Sequence, residues 1–131
     1  MAQSTTNFPA TAIARLADKQ AADRGRIAEE IARFTASTSD RTGLQGQVKD
    51  LIPFLRDEDD TVRYWIAAAL GHIGTLAKDA VPALIVALDE RADTIASKSS
   101  ESGIRFALDR IDPHWRSRAD VSNRIKRRWP E

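Results

Sequence analysis

Cysteine is absent from the 131 residues. Its absence excludes disulfides and thiolate metal ligands, and it fits a reducing compartment, so the cytoplasm is the expected location. Histidine is scarce, with only His72 and His114. A zinc site takes about four ligands, commonly Cys or His, and this chain offers too few. No glycine-rich phosphate loop occurs, and no stretch alternates convincingly with period two. The apolar runs fall well short of the roughly 20 residues that span a bilayer, so no membrane partner is expected. The opening MAQSTTNFPA has no basic segment followed by an apolar run, so no secretion signal is expected either. Neither sign of charge dominates, the formal net charge being +1. Its distribution is uneven: residues 1–112 carry fourteen Lys/Arg against seventeen Asp/Glu, and residues 113–131 carry six against two. The tail is the basic part of a mildly acidic chain.

Helix formers dominate what remains, and at this length the whole chain, residues 1–131, is expected to form one domain with a modest core. Its organising stretch is LIPFLRDEDDTVRYWIAAALGHIG, residues 51–74. Leu51, Ile52 and Leu55 give one helix an apolar face. Val62, Ile66, Ala69, Leu70 and Ile73 give a second helix a stripe at helical spacing. The acidic run Asp57, Glu58, Asp59 and Asp60 separates them. Asp59 or Asp60 is expected to cap the second helix, where a short carboxylate accepts from free N–H groups and suits the dipole. Gly74 falls where a left-handed C-terminal cap is expected. The acidic run also suggests Ca²⁺ or Mg²⁺, but its spacing matches no calcium loop; a helix cap beside a solvated turn accounts for it, and no metal or cofactor is expected.

This two-helix unit recurs. Leu84 lies 33 positions after Leu51, in AVPALIVALDE, where Leu84, Ile85 and Leu88 share one side. In GIRFALDRID, Ile104, Ala107, Leu108 and Ile111 match Ile66, Ala69, Leu70 and Ile73. Leu55 to Leu70 is 15 positions and Leu88 to Leu108 is 20, so the later copy carries about five extra residues within residues 91–102. Upstream, Ile27, Ile31 and Phe34 match Ile66, Leu70 and Ile73, and Asp18 and Arg24 repeat the six-residue spacing of Asp57 and Arg63. Three copies in one register indicate a tandem array of helical hairpins.

The segment DEDDTVRYWIAAALGHIGTLAKDAVPALIVAL resembles the HEAT-repeat family, especially the short bacterial repeats named after phycobilisome lyases. The resemblance rests on Asp57, Val62, Arg63, Ala67, Ala69, Leu70, Gly71, Ile73 and Gly74, followed by Ala80, Val81, Pro82, Leu84 and Leu88. It implies an all-α solenoid of about three HEAT-like hairpins, near residues 10–35, 48–74 and 80–112, with a C-terminal cap over residues 113–131. In that family the Asp and the Arg six positions later form a polar ladder between repeats. Asp57 with Arg63 and Asp18 with Arg24 are expected to fill those places, while Glu90 and Glu101 stand there in the last repeat. Some HEAT-repeat hydroxylases hold iron through paired His-Glu motifs. The pairs here are His72-Ile73 and His114-Trp115, so no such enzyme is expected.

Between these landmarks, residues 1–7 are polar, and Phe8-Pro9 starts or staples a first helix reaching about residue 22. A second helix is expected over residues 23–34. TASTSDRTG, residues 35–43, and SKSSES, residues 97–102, read as loops by composition. Pro53 falls inside an apolar pattern, so its helix is expected to start near Val48 and bend at Pro53. Residues 75–79 read as a short turn, and Pro82 suits the first turn of the next helix. Asp112-Pro113 stops a helix. Residues 120–129 are expected to form a final helix with Val121, Ile125 and Trp129 stacked over the open end of the array, since repeat arrays need such caps.

Aligning the second helices places Arg33, His72 and Arg110 at one position and Glu29, Ala68 and Phe106 at another, with Tyr64 one turn before Ala68. In this architecture such residues line the concave face. Tyr64, Ala68, His72, Phe106 and Arg110, with Arg33 at the edge, are the candidate partner-binding set, because aromatic and Arg residues dominate protein interfaces. Core cover by Phe106 and solvation of the arginines are the competing reading. Trp65 reads as packing beside the core stripe, and Trp115 as a staple for the cap. RIKRRWP, residues 124–130, suggests phosphate contacts or a solvated basic face on a cap. The resulting expectation is a non-catalytic module that binds another protein, one with an acidic rim, as an adaptor or as an inhibitor such as an immunity protein. The alternatives are nucleic-acid binding through the basic tail and an accessory role beside a lyase-type enzyme.

Overall fold

The computed structural model describes residues 10–39, 42–91 and 98–130. The expectations placed on residues 1–9 and on most of the insertion within 91–102 lie outside them. Among the described residues there is no strand. The first helix, α1, is Ala10–Ala17 and buries Ala12, Ile13 and Leu16. It ends about five residues before the expected position. The Asp18 carboxylate accepts from the Gln20 N–H at 3.0 Å, a local bond that competes with helix continuation. The second, α2, is Arg24–Ser37. Asp23 precedes it with φ 61°, a left-handed conformation that Asp tolerates better than most residues. The helix runs on into the stretch read as loop, because Thr35 is buried and its hydroxyl donates to Ala32 O at 2.8 Å. The rest of that stretch is helical at its far end, where α3, Thr42–Gln45, begins.

Val48 does start the next helix. Here α4 is Val48–Leu51, and the bend at Pro53 takes the form of a change to 3-10 geometry over Ile52–Arg56, with Pro53 in the first turn. Helix α5, Asp60–Ile73, has the expected cap: the Asp59 carboxylate accepts from the Thr61 N–H at 2.9 Å. Gly74 has the positive φ expected of it, 77°, but its ψ of −143° is far from a left-handed helical cap, and its N–H closes onto Leu70 O. A 3-10 segment, Gly74–Ala80, stands where a plain turn was expected, broken at Ala77. Helix α6 follows as Val81–Arg91, with Pro82 in its first turn. By composition the span Asp60–Glu90 is apolar enough for a membrane helix, but Gly74 and Ala77 break it and half of its most apolar window is buried inside the protein.

Helix α7 is Lys98–Ile111, so SKSSES is largely helical rather than loop. Tertiary bonds override its composition. Ser100 is buried, its N–H donates to Asp60 Oδ1 at 3.3 Å, and its hydroxyl accepts from Arg63 Nε at 3.4 Å. A carboxylate from one hairpin thereby caps the second helix of the next. After a 3-10 turn at Trp115–Ser117, α8 spans Asn123–Arg128. It starts three residues later than expected because the Ser122 hydroxyl accepts from the Ile125 N–H and sets the N-terminus there. Val121 and Ile125 are buried and Trp129 packs partly against the core, although only Ile125 lies within the helix.

Helix α5 is central. It packs on α2 along one flank and on α7 along the other, while α1, the 3-10 segment after α4, and α6 pair with α2, α5 and α7 respectively. The apolar stripes merge into one core running from Leu16 through Ile31, Leu55, Leu70 and Leu88 to Trp115 and Ile125.

The polar ladder expected between repeats is present where Arg24 of the first hairpin meets Asp57 of the second. Arg24 donates to Asp57 of the following hairpin at 2.6 and 3.1 Å, and also to Leu16 O at 2.8 and 3.0 Å. Asp57 accepts as well from the Asp59 N–H at 2.9 Å. Its side chain is 2% exposed. Burial opposes ionisation of Asp57, but the Arg24 bond, the Asp59 N–H and the Arg24 charge outweigh it and hold its pKa below the usual carboxylate value. Arg63 donates to Asp57 O at 2.6 Å, Glu58 O at 3.1 Å and Asp60 Oδ1 at 3.0 Å. It also reaches Ser100 of the next hairpin, and Glu90 pairs with Arg56 at 2.9 Å on the surface.

Candidate partner-binding face

Two glycines let α5 and α7 approach. A methyl group on Gly71 would stand 2.7 Å from the Phe106 ring and 3.1 Å from the Ala107 Cα. A methyl group on Gly103 would stand 3.0 Å from both the Tyr64 ring and Tyr64 O. Each helix therefore supplies an aromatic ring that lies on a glycine of the other. Between the helices a groove of about 280 Å³ remains, bordered by Tyr64, Trp65, Ala68, His72, Ser102, Gly103 and Phe106.

Four of the six sequence-predicted residues, Tyr64, Ala68, His72 and Phe106, line this groove. Arg110 is not among the lining residues, but its guanidinium stands 5.5 Å from the centre of the ring of Phe106, which is. Arg33 does not line it; on α2 it pairs with Glu29 one turn earlier, with its side chain 73% exposed. His72 sits edge-on to Phe106 at 5.5 Å, and its Nδ1 lies 3.1 Å from Ala32 O. A carbonyl only accepts, so Nδ1 carries the proton in that bond. This contact fixes the ring between α2 and α7.

Trp65, Ser102 and Gly103 are the lining residues absent from the sequence-predicted set. Trp65 packs partly against the core and also meets Tyr64 edge-on at 4.9 Å, so its packing role and its place on the groove coexist. Ser102 shares the repeat position of Tyr64, and that alignment was the available signal for it. Nothing local marked Gly103, whose importance comes from Tyr64, 39 residues away.

The basic tail is differently placed. Arg124 donates to Asp89 Oδ1 at 3.1 Å, and the Ser122 hydroxyl donates to the same oxygen at 2.9 Å. Arg128 stands 3.6 Å from Glu101, and both Arg128 and Arg105 lie 5.1 Å from the Trp129 ring. Trp115 is fully buried, donates from Nε1 to Asp109 at 2.8 Å and carries Arg116 stacked over it at 4.5 Å. These contacts fasten α8 to α6 and α7. Among the described residues no group of three or more His, Cys, Asp or Glu is arranged to hold a metal.

A sequence model of HEAT repeats matches residues 9–105. The chain belongs to the HEAT-repeat family. No curated protein and no solved structure matches it. HEAT repeats generally scaffold contacts between proteins and are typically non-catalytic. In this HEAT-repeat chain, the groove between α5 and α7 lies between the second helices of neighbouring hairpins, and the residues bordering it are not consumed by the ladder.

Proposed function

We propose that this HEAT-repeat chain is a non-catalytic module that binds another protein on the face formed by its second helices, as a small adaptor or as an inhibitor of the immunity type. The observation that carries the reading is the α5–α7 groove. Three aromatic side chains border it, yet it is held open by helix contacts that do not depend on a ligand. Aromatic residues and arginine carry a large share of interface energy, and a preformed site avoids part of the ordering cost of association. The tail offers less to nucleic acid than its sequence suggests, since Arg124 and Arg128 already have carboxylate partners.

The test is cross-linking and recovery of the partner from the native host, repeated with Tyr64→Ala, Arg110→Glu and the control Lys19→Glu. Lys19 is exposed in the turn after α1, away from the groove. Both groove variants are expected to lose the partner, and the control to keep it. Tyr64 touches Gly103, so Tyr64→Ala is also expected to lower the melting temperature slightly, whereas Arg110 is exposed and its reversal leaves stability near wild type. Normal recovery by both groove variants would rule out this face.

A further inference from the structure

Resting on the interaction reading, we infer that the α5–α7 groove takes a short acidic segment of the partner, with one bulky apolar side chain seated between Tyr64, Trp65 and Phe106 and an acidic side chain beside Arg110. Three observations converge on this occupant. The first is size. An apolar cavity of about 150 Å³ suffices for a benzene ring, so about 280 Å³ takes one aromatic or branched side chain with adjoining backbone. Ala68 and Gly103 are the smallest residues of the lining, and they leave the slot its depth.

The second observation is length. Tyr64 to His72 and Ser102 to Arg110 are each eight positions. At about 1.5 Å per residue that is roughly 12 Å of helix, which about four residues of extended chain cover.

The third is charge. None of the described lining residues carries a carboxylate. Arg110 stacks on Phe106 and makes no ion pair among the described residues. Its guanidinium thus stands beside a lining ring, where an Asp or Glu of the bound segment gains a planar two-point contact. The Ser102 hydroxyl, which donates to Ser99 O at 2.8 Å, still accepts from a backbone N–H of an entering chain. The reciprocal packing of Tyr64 on Gly103 and Phe106 on Gly71 presets the width, so the groove selects by size as well as by charge.

The probe is a random peptide library displayed on phage and panned against the intact chain, followed by titration of the enriched peptide, labelled with fluorescein, into wild type, Ala68→Leu and Arg110→Glu. The enriched peptides are expected to share one bulky apolar residue with Asp or Glu within about three residues on one side. Ala68→Leu fills the slot and Arg110→Glu reverses the charge beside it, so each is expected to weaken binding at least about tenfold, the scale of one interface anchor. Panning on Arg110→Glu is expected to shift the flanking preference to Lys or Arg. In ¹⁵N spectra the Trp65 indole and the Gly103 amide should move on binding. A basic or charge-neutral consensus, unchanged affinity in Arg110→Glu, or no enrichment at all overturns the inference. If no peptide enriches and Tyr64→Ala still abolishes capture of the cross-linked partner, the acidic segment is wrong and the interaction face stands. If the partner is captured normally by Tyr64→Ala and Arg110→Glu, the face itself is wrong.

Discussion

Replacing Asp57 by Ala tests how the hairpins are joined. In the wild type the Asp57 carboxylate, 2% exposed, accepts two bonds from Arg24, itself 12% exposed, and one from the Asp59 N–H. Removing it strips Arg24 of its only carboxylate among these contacts and leaves its guanidinium with Leu16 O alone. Breaking a buried ion pair from one side costs about 3–5 kcal/mol. For a chain of this size that corresponds to a fall in melting temperature of roughly 10–20 °C. Removing both partners should cost less than the sum of the single losses, because the double variant no longer strands a buried cation. A cycle of Asp57→Ala, Arg24→Met and their combination, followed by urea melts, should therefore show a coupling of about 1–3 kcal/mol. The acid limb adds a second reading. The folded-state pKa of Asp57 is lowered, so its stabilisation is fully present above the unfolded value of about 4 and is lost as pH falls through the lowered folded value. The gap between wild type and Asp57→Ala should be full at pH 7 and shrink below about pH 4. A loss under about 1 kcal/mol at pH 7, strict additivity in the cycle, or a gap that persists undiminished into strong acid would each refute the account of Asp57 as the rung between hairpins.

Four further outcomes are expected. Leu70 is fully buried on the central helix, so Leu70→Ala should cost about 2–5 kcal/mol in a urea melt; under about 1 kcal/mol would mean the core is not organised around α5. Gly71→Val should destabilise by about 1–3 kcal/mol through overpacking against Phe106 and Ala107, and near-UV circular dichroism should report the displaced rings; an unchanged melt and spectrum would contradict the close approach. In the tail, Arg124→Gln with Arg128→Gln should lower the melting temperature, because both side chains fasten α8 to acidic partners, while Lys126→Gln with Arg127→Gln should not. Gel-shift assays with labelled duplex and single strand should show no retention by wild type at physiological salt, and retention lost on replacing all four would revive a phosphate-binding role.

Much of the fold could be read locally. The Asp59 cap, the positive φ of Gly74 and the start at Val48 with a bend at Pro53 depend on neighbours within a few residues, and local pattern reports such features. The shared register of Ile31, Leu70 and Leu108 revealed the hairpins, because a repeat buries its stripe only against its copies. Composition misread residues 35–37, 42–43 and 98–102, which are helical. Thr35 and Ser100 are satisfied by tertiary packing and bonds, and a serine buried against Arg63 and Asp60 no longer competes with its own helix. The rung from Arg24 to Asp57 was legible through the resemblance, which sets such residues in a ladder between repeats, whereas the Asp18 carboxylate accepts from the nearby Gln20 N–H. The groove followed the same pattern. Repeat alignment found Tyr64, Ala68, His72 and Phe106 but placed Arg33 with them, since equal repeat positions do not guarantee that side chains on three helices share one slot. Gly103 was invisible because its role is defined by a ring 39 residues away.

The ladder also fixes where this protein can be lengthened. The rung from Arg24 to Asp57 joins a donor in one hairpin to an acceptor in the next, and Arg63 likewise reaches from its own hairpin to Ser100 of the following one. A duplicate of residues 48–80 spliced in after Ala80 would carry its own copy of Asp57 to the place Arg63 faces, and its own copy of Arg63 to face Ser100. The terminal helix would be left undisturbed on α6 and α7. The junction after Ala80 is therefore a growth point, at which gene duplication or a designer can add one hairpin at a time without redesigning either end.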